Sequence, residues 1–465
     1  MNDEKQEEDK NLPMMQKKMN IKLRQAQSIS DKHRIVRFMG AVLERTNDGW
    51  KTINSDDFAR IAYQELGPGA TKSQIQDLEH LFFTSAEDVS DRFRYIGMPD
   101  GRVWDTKKIK WTNDILSEDC IFTCTVSPTN GNSHRKWLEE VTRGDKDLAN
   151  DIMWAIAPIF MYKKPFGVFW FLGNGSNGKS TVLKTVHQLF GGKTAPFTQL
   201  SLTAIEDGRD TPTMNGKLGN ICIESHDGHI KDAGNYKHLA DHDDFEVHKM
   251  RSNNNIKVHG NIHTIFNTNN IPTFGDKTKA IRDRTFTIPF KAEFPRNQNF
   301  DENLWASENF LSDFLGELLE SAKAIKKNKF NYRLSPHSLA AKQDYDEEAN
   351  SAEAYMHELV KQEIFAFTNF DPLYDDYERW CKERGNIQLG RRTLSNAAKV
   401  LGYERRSSRF NGDLVTRYML GDTDFDEVIE VPKRWGLWQR TDSNVDLVMP
   451  EDKTDQALNE MLKLT

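Results

Sequence analysis

The stretch Gly173-Asn174-Gly175-Ser176-Asn177-Gly178-Lys179-Ser180-Thr181 restricts this chain more than any other. Its spacing, G-x-x-x-x-G-K-[ST], is that of a phosphate-binding P-loop. A triphosphate needs many hydrogen-bond donors and no side chains in the way. Three glycines let the backbone turn tightly and turn its N–H groups toward phosphate oxygens. Lys179 is placed to reach the β- and γ-phosphates, and the Ser180 hydroxyl to ligate Mg2+. Phe166 to Leu172, just before, is an apolar run of strand length. Just after, Val182, Leu183, Val186, Leu189 and Phe190 recur at helical spacing, up to Gly191-Gly192. Strand, loop, helix is the order that aims a helix N-terminus at phosphate.

Composition narrows the rest. A chain of 465 residues, 37% hydrophobic and 29% charged, has room for two to four domains with real cores. No apolar run approaches the ~20 residues that span a membrane. The start, MNDEKQEEDK, is not a signal peptide. Cysteines 120, 124, 222 and 381 fit neither a zinc pattern nor a disulfide framework, so they read as reduced thiols of a cytoplasmic protein. A net charge of −7 argues weakly against nucleic acid. A motor that grips DNA in a narrow pore needs only local basic groups.

Four regions follow. Residues 1–30 read as a polar tail or a loosely held helix. Residues 31–132 are a mixed α/β region, with helices expected over Arg34 to Leu43 and Ser73 to Phe83 and a hairpin over Phe93 to Trp111 that turns at Met98 to Gly101. His33 and His80 read there as surface histidines. Residues 133–330 hold the ATPase core, opened by a single helix expected over His134 to Met161. Residues 331–465 are a helical region ending in a DNA-binding domain.

Further motifs lie within this frame. Leu218 to Ile223 is strand-like and ends in Glu224, the natural Walker B acid at the C-terminal end of a strand, with Asp227 close by. Ile262 to Phe266 is strand-like and runs into Asn267 and Asn269, both candidates to address the γ-phosphate or the attacking water. Arg282 and Arg284 precede another strand-like run; an arginine there can reach a neighbouring subunit's nucleotide. Phe245 to His259 reads as two strands around a Ser/Asn turn, whose polar side carries Lys249, Arg251 and Lys257 for phosphate contacts. Near the C-terminus, helices over Leu373 to Cys381 and Arg391 to Leu401 precede Arg405, Arg406, Arg409 and the strand Leu414 to Met419. Helix, helix, basic hairpin is the order of a winged helix, with Arg391, Arg392 and Lys399 facing a groove. A helical cap with a basic face for subunit contact is the alternative.

Taken together, the motifs resemble the superfamily 3 helicases, in particular phage- and plasmid-type primase-helicases and their poxvirus relatives. The resemblance rests on residues 173–181, Glu224, Lys237-His238-Leu239 with Asp243 or Asp244, Lys249 to Arg251, Asn269 to Pro272 and Arg284 to Phe290. It implies an α/β fold: a P-loop, AAA+-like helicase core with a mixed N-terminal region and a C-terminal winged-helix-like domain. It also implies a homo-hexameric ring that uses ATP and Mg2+ to unwind DNA. In it Lys179 and Ser180 bind phosphate and metal, Glu224 is the Walker B acid, and Asn269 is the sensor. Lys249 and Arg251 grip single-stranded DNA, and Arg284 is the finger on the adjacent subunit. Duplex DNA falls to Arg391, Arg392, Arg405 and Arg406. This chain departs from many relatives at Glu224-Ser225, where two acids are usual, and at Asp283-Arg284, where two arginines are usual. The finger is therefore Arg282 or Arg284. No acidic triad for nucleotidyl transfer is visible, so any primase is a separate partner. Two other outputs stay open: an origin-binding initiator ATPase that melts DNA, and a non-catalytic DNA-binding scaffold.

Overall fold

The computed structural model describes residues 14–39, 41–46, 49–67, 69–225, 228–248, 255–276, 279–295, 300–410, 413–421, 423, 428–431 and 434–440. Among them the chain is mixed α/β and forms two compact units, Met1–Asp276 with Asp283–Ser338, and Lys277–Arg282 with Leu339–Thr465.

The first unit opens with helix α1 (Met14–His33), where a polar tail or loose helix was expected. It is followed by an antiparallel sheet of β1 (Ile35–Phe38), β2 (Ala41–Thr46) and β3 (Gly49–Thr52), then α2 (Ser55–Leu66) and α3 (Lys72–Ser85). The helix expected over Arg34 to Leu43 is therefore two strands. Arg34 and Met39 take left-handed backbone angles (φ 49° and 48°) at either end of β1, which no continuous helix permits. Ala26, Ile29, Ile35, Val42, Phe58, Ile61, Leu78 and Phe82 form the core of this part. His33 lies between two carboxylates, Glu44 at 3.3 Å and Glu65 at 3.0 Å.

A four-stranded sheet comes next: β4 (Tyr95–Gly97), β5 (Val103–Asp105), β6 (Lys110–Thr112) and β7 (Phe122–Thr123), in the order β6-β5-β4-β7. β4 and β5 form the hairpin that turns at 98–101. Two helices then stand where one was expected over His134 to Met161: α4 (Arg135–Val141) and α5 (Lys146–Ile156), the second followed by a 3-10 turn over Ala157–Phe160. Arg143 (φ 56°) and Gly144 (φ 85°) end the first helix. The Asp145 carboxylate starts the second by accepting from the Leu148 amide at 3.0 Å.

The segment around the central sheet runs through β8 (Val168–Leu172), α6 (Lys179–Gln188), β9 (Phe197–Thr198), α7 (Leu202–Asp207), β10 (Gly219–Cys222), β11 (His229–Ile230), α8 (Gly234–Asp241), β12 (Phe245–His248), β13 (Asn255–Val258), β14 (His263–Thr268), β15 (Thr273–Phe274) and β16 (Thr285–Pro289), with β11–β15 and β12–β13 pairing as separate two-stranded sheets. In the central sheet, β8, β9, β10, β14 and β16 take part. Its five strands run parallel in the order β16-β8-β14-β10-β9. β8 is covered on both faces, which explains its unbroken apolar run. The short α9 (Lys279–Arg282) belongs to the second unit. After β16, α10 (Phe300–Ala306) and α11 (Phe310–Lys327) complete the first unit's main core. The loop before α4 is riveted to α11. Asp313 accepts from the Gly131 amide at 3.1 Å, the Ser133 amide at 3.0 Å and the Ser133 hydroxyl at 2.7 Å.

In the second unit, α12 (Pro336–Ala349), α13 (Ser351–Lys361), β17 (Ile364–Phe367), α14 (Phe370–Arg384) and α15 (Arg391–Val400) lead to β18 (Tyr403–Phe410), β19 (Asp413–Leu420), β20 (Val428–Glu430) and β21 (Leu437–Arg440). These strands form an antiparallel sheet ordered β18-β19-β17-β21-β20. Tyr355, Leu359, Phe367, Leu373, Tyr377 and Leu394 bind helices and sheet into one core. No described helix is long and apolar enough to cross a membrane. The four cysteines are free and buried.

A methyl group on Gly316 would sit 1.8 Å from the Thr129 carbonyl oxygen, with backbone on both sides of the clash. Gly316→Ala is expected to cost roughly 2–3 kcal/mol, read as an earlier midpoint in urea unfolding.

Candidate phosphate-binding site

The site lies at the C-terminal edge of the central sheet. β8 ends at Leu172, and the chain passes through residues 173–178 into α6. The loop has no room for side chains at its start. A Cβ on Gly173 would meet the Asn177 amide nitrogen at 2.1 Å and the Phe290 carbonyl oxygen at 2.5 Å. Gly178 caps α6 in the left-handed region, φ 88°, which a glycine enters freely. Asn177 donates to the Phe290 carbonyl at 3.2 Å, and the Phe294 amide donates to the Ser176 carbonyl at 2.7 Å. The loop is thus sewn to the segment just beyond β16.

Lys179 is 4% exposed. Its ammonium donates to the Gly173 carbonyl and, at 3.0 Å, to the Asn177 side-chain oxygen. Burial pulls its pKa down to about 8. A polyanion placed on the loop would supply the opposite charge that this ammonium lacks there. Asn174, Gly175 and Thr181 complete the loop. Thr181 looks elsewhere: its hydroxyl donates to Asp301 at 2.8 Å.

Helix α6 and the ends of β10 and β14 meet at Asn267, the penultimate residue of β14. Its side-chain amide donates to the Ser180 hydroxyl at 3.1 Å and to the Ile223 carbonyl. Its own carbonyl accepts from the Ser225 amide at 2.9 Å. So Ser180, Asn267 and the end of β10 form one bonded group, with the exposed Glu224 between Ile223 and Ser225. Of the two asparagines singled out in the sequence, Asn267 touches Ser180, and Asn269 stands exposed in the turn after β14. Asp227 lies outside the described residues. Among the described residues no cluster of His, Cys, Asp or Glu could hold a metal by itself.

Sequence reasoning missed the brace on α6. Lys184 pairs with Asp301 at 3.0 Å, and the Trp305 indole donates to Thr185 at 2.9 Å. Thr181/Thr185 and Asp301/Trp305 are both spaced by four, so two helix faces mesh. That spacing is visible in the sequence, but nothing local says which faces meet.

Of the two candidate arginines, Arg284 sits at the other end of the β8–β16 pair from the loop. Arg284 precedes β16 and grips Asp241 with a fork, Nε to Oδ1 at 3.1 Å and Nη2 to Oδ2 at 2.8 Å. Arg282 belongs to the second unit, where it pairs with Glu353 at 2.5 Å. At that same N-terminal edge of the sheet, Lys164 is buried. It donates to the carbonyls of Pro158 at 3.1 Å and Met161 at 2.8 Å, with the half-buried His242 and the buried His263 nearby. Burial lowers Lys164 to about 7 and His242 to about 4.

Of the basic residues assigned to DNA, Lys249 and Arg251 lie outside the described residues. On either side of them in the sequence, β12 and β13 pair antiparallel. Lys257 sits on β13, opposite Glu246, and pairs with Asp244 at 2.8 Å. Arg391 pairs with Asp371 and stacks over Tyr374 at 4.7 Å. Arg392, Lys399, Arg405 and Arg409 are exposed, and Arg406 donates to the Gly421 carbonyl. β18 and β19 pair over eight residues, of which only Tyr418 and Met419 also pair with β17, so most of this basic hairpin projects past the sheet.

A lysine held at about 7 in the folded chain and 10.5 in the unfolded one disfavours folding most at and below pH 7. That penalty is relieved as pH rises from about 7 toward 10.5. Lys164→Met should therefore flatten the stability–pH curve in this window, by up to about 1.4 kcal/mol per pH unit, as measured by denaturant unfolding at pH 7, 8 and 9.

Residues 171–284 match a family of unknown function (DUF5906), a span that holds the loop, Glu224 and both candidate arginines. No curated protein matches the sequence. Among solved structures, the A form apo structure of the NrS-1 C terminal region is similar at 13% identity and a TM-score of 0.44, covering 85% of this chain and 98% of that one. The apo structure of the same region is similar at 13% identity and a TM-score of 0.43, covering 86% and 99%.

Proposed function

We propose that the chain is an ATP-driven DNA helicase that works as a ring of identical subunits, in the replication of a phage, plasmid or other mobile element. One observation carries this reading. The phosphate loop, with Lys179 inside it, is joined through Ser180 and Asn267 to the strand end that presents Glu224. Grouped at the C-terminal edge of a parallel sheet, these residues support the binding of a nucleoside triphosphate there. The parallel strand order, with β8 between β16 and β14, supports a P-loop core of the AAA+ kind.

In this reading the loop amides and Lys179 bind the phosphates of ATP. The Ser180 hydroxyl and the Glu224 carboxylate would hold Mg2+, which offsets phosphate charge. Glu224 orients water, and Asn267 fixes Ser180; Asn269 stands beside it as the outer candidate for the sensor. Lys249 and Arg251, between β12 and β13 in the sequence, contact single-stranded DNA. Helices α14 and α15 followed by a projecting basic hairpin support a winged-helix reading of the second unit. There Arg392, with Arg391 beside it, approaches duplex DNA, and Arg405 and Arg406 lie along the phosphate backbone. That same surface favours a second output, an initiator that recognises and melts an origin. Unwinding of a forked substrate, set against footprinting on origin DNA, separates the two.

The test is ATP hydrolysis with and without single-stranded DNA. Wild type is expected to hydrolyse ATP faster with DNA. Lys179→Ala should lose hydrolysis by roughly 100-fold or more. Lys249→Ala/Arg251→Ala should keep the basal rate and lose the stimulation. Hydrolysis that ignores DNA in the wild type would overturn the helicase reading, and no hydrolysis at all would favour a DNA-binding scaffold.

A further inference from the structure

We propose that the first unit carries a second surface for single-stranded DNA, built from Lys107, Lys163, Lys323, Lys326 and Lys327 around the ring of Tyr162. This surface goes beyond the ATPase reading above and shares with it only the choice of partner.

Three segments far apart in the chain meet here. The Trp104 indole donates to the Phe160 carbonyl at 2.9 Å, and the Tyr162 amide to the Thr106 carbonyl at 2.9 Å. The turn between β5 and β6 therefore lies against the stretch that leads into β8. The Lys326 ammonium, near the end of α11, donates to the Lys108 carbonyl at 2.7 Å. Lys163 lies over the ring of Phe330, just past α11, at 4.8 Å. Lys323, Lys326 and Lys327 are spaced three and four apart, so they share one face of α11. All five lysines are exposed.

What orients these ammonium groups sets them apart from ordinary surface charge. Lys107 lies 5.7 Å from the Tyr162 ring, Lys163 4.8 Å from Phe330 and Lys323 5.7 Å from Trp104, all within cation–π range. Lys326 rests on a carbonyl. Aromatic faces and carbonyls steer a cation and leave its charge in place; carboxylates cancel it. Lys323 pairs with Glu320 at 2.6 Å, whereas among the described residues no ion pair reaches Lys107, Lys163, Lys326 or Lys327. Asp105 and Asp114 are taken up by Arg94 and Lys108. The C-terminal carbonyls of α11 favour lysines on its last turn, but Lys107 and Lys163 come from other segments. In a chain of net charge −7, cations gathered without counter-ions suit a partner that brings its own negative charge.

Tyr162 decides which polyanion that is. Its amide is tied to Thr106, its ring meets Phe93 edge-on at 6.1 Å, and the residue is still 38% exposed. A fixed, exposed ring beside ammonium groups gives a base a stacking face while the lysines take phosphates. Duplex DNA keeps its base faces stacked inside, and an acidic peptide has none. Tyr162 and Lys163 precede β8, and the phosphate loop follows it, so strand and nucleotide occupy opposite ends of β8.

The experiment titrates the full chain, without ATP, onto a fluorescent oligodeoxythymidine over a series of salt concentrations. The background is Lys249→Ala/Arg251→Ala, which removes the other single-strand contact. Adding Lys107→Gln/Lys163→Gln/Lys326→Gln/Lys327→Gln is expected to weaken binding roughly tenfold or more. It should also lower the slope of log affinity against log salt by about 2–3, near 0.7 per lost phosphate contact. Tyr162→Ala should lose roughly tenfold on the single strand and little on a duplex, while Tyr162→Phe, which keeps the ring, should match the background. Unchanged affinity and slope in the four-lysine variant overturn the surface, as does unchanged single-strand affinity in a folded Tyr162→Ala. Competition by poly-glutamate needs no further variant. It should be far weaker than competition by oligodeoxythymidine of equal charge, and equal competition overturns the assignment in favour of an acidic protein segment. A DNA-stimulated ATPase whose four lysines add nothing removes this surface and leaves the helicase reading intact. A chain that binds the single strand through these lysines and hydrolyses no ATP does the reverse.

Discussion

The side chain of Asn177 reaches across to the backbone carbonyl of Phe290, and the shape of the loop over residues 173–178 depends on that bond. The two residues are 113 positions apart in the chain. They meet because β8 and β16 run parallel in register and end together. A Gly-rich loop alone would be a loose turn. Here its first glycine is pressed between the Asn177 amide and the Phe290 oxygen, and its lysine is folded inward. The sheet thus comes first in the causal order, and the loop's geometry follows from the strands on either side of it.

That dependence explains which features can be read from the chain alone. The loop, its flanking strand and its helix are contiguous, so spacing and apolar pattern were enough. The strand ending at Glu224 and the one ending near Asn267 were legible for the same reason. The choice between Asn267 and Asn269 was not. It turns on where β14 ends: pairing with β8 continues to Thr268, so Asn267 is still in the strand and touches Ser180, while Asn269, two positions on, is already in the turn. The brace of Asp301 and Trp305 on α6 joins residues about 120 apart, and each face taken singly looks like ordinary helix surface.

Errors at the local level have local causes. Ile35 to Leu43 is apolar enough for a helix face, yet two left-handed residues, Arg34 and Met39, commit it to a hairpin. The run from His134 onward has helical periodicity throughout, yet Arg143-Gly144 interrupts it and Asp145 restarts it. In both places backbone conformation at one or two residues overrides a pattern that extends over ten or more. The buried Lys164 is a different kind of exception. It sits among histidines without a carboxylate, satisfied by two backbone carbonyls, and no periodicity predicts such a place for an ammonium group.

The excursion of Lys277–Arg282 into the second unit means that neither unit is continuous in sequence. A ribosome that has just finished Ser338 has delivered every strand of the central sheet, yet Glu353, the partner of Arg282, has still to be made. Vectorial synthesis therefore leaves this arginine waiting on residues 71 positions downstream. A fragment cut between the units at 338 carries six residues whose own unit is missing. Dissection of this chain into separately expressed halves has to treat 277–282 as an exposed splice, whichever half it is meant to deliver.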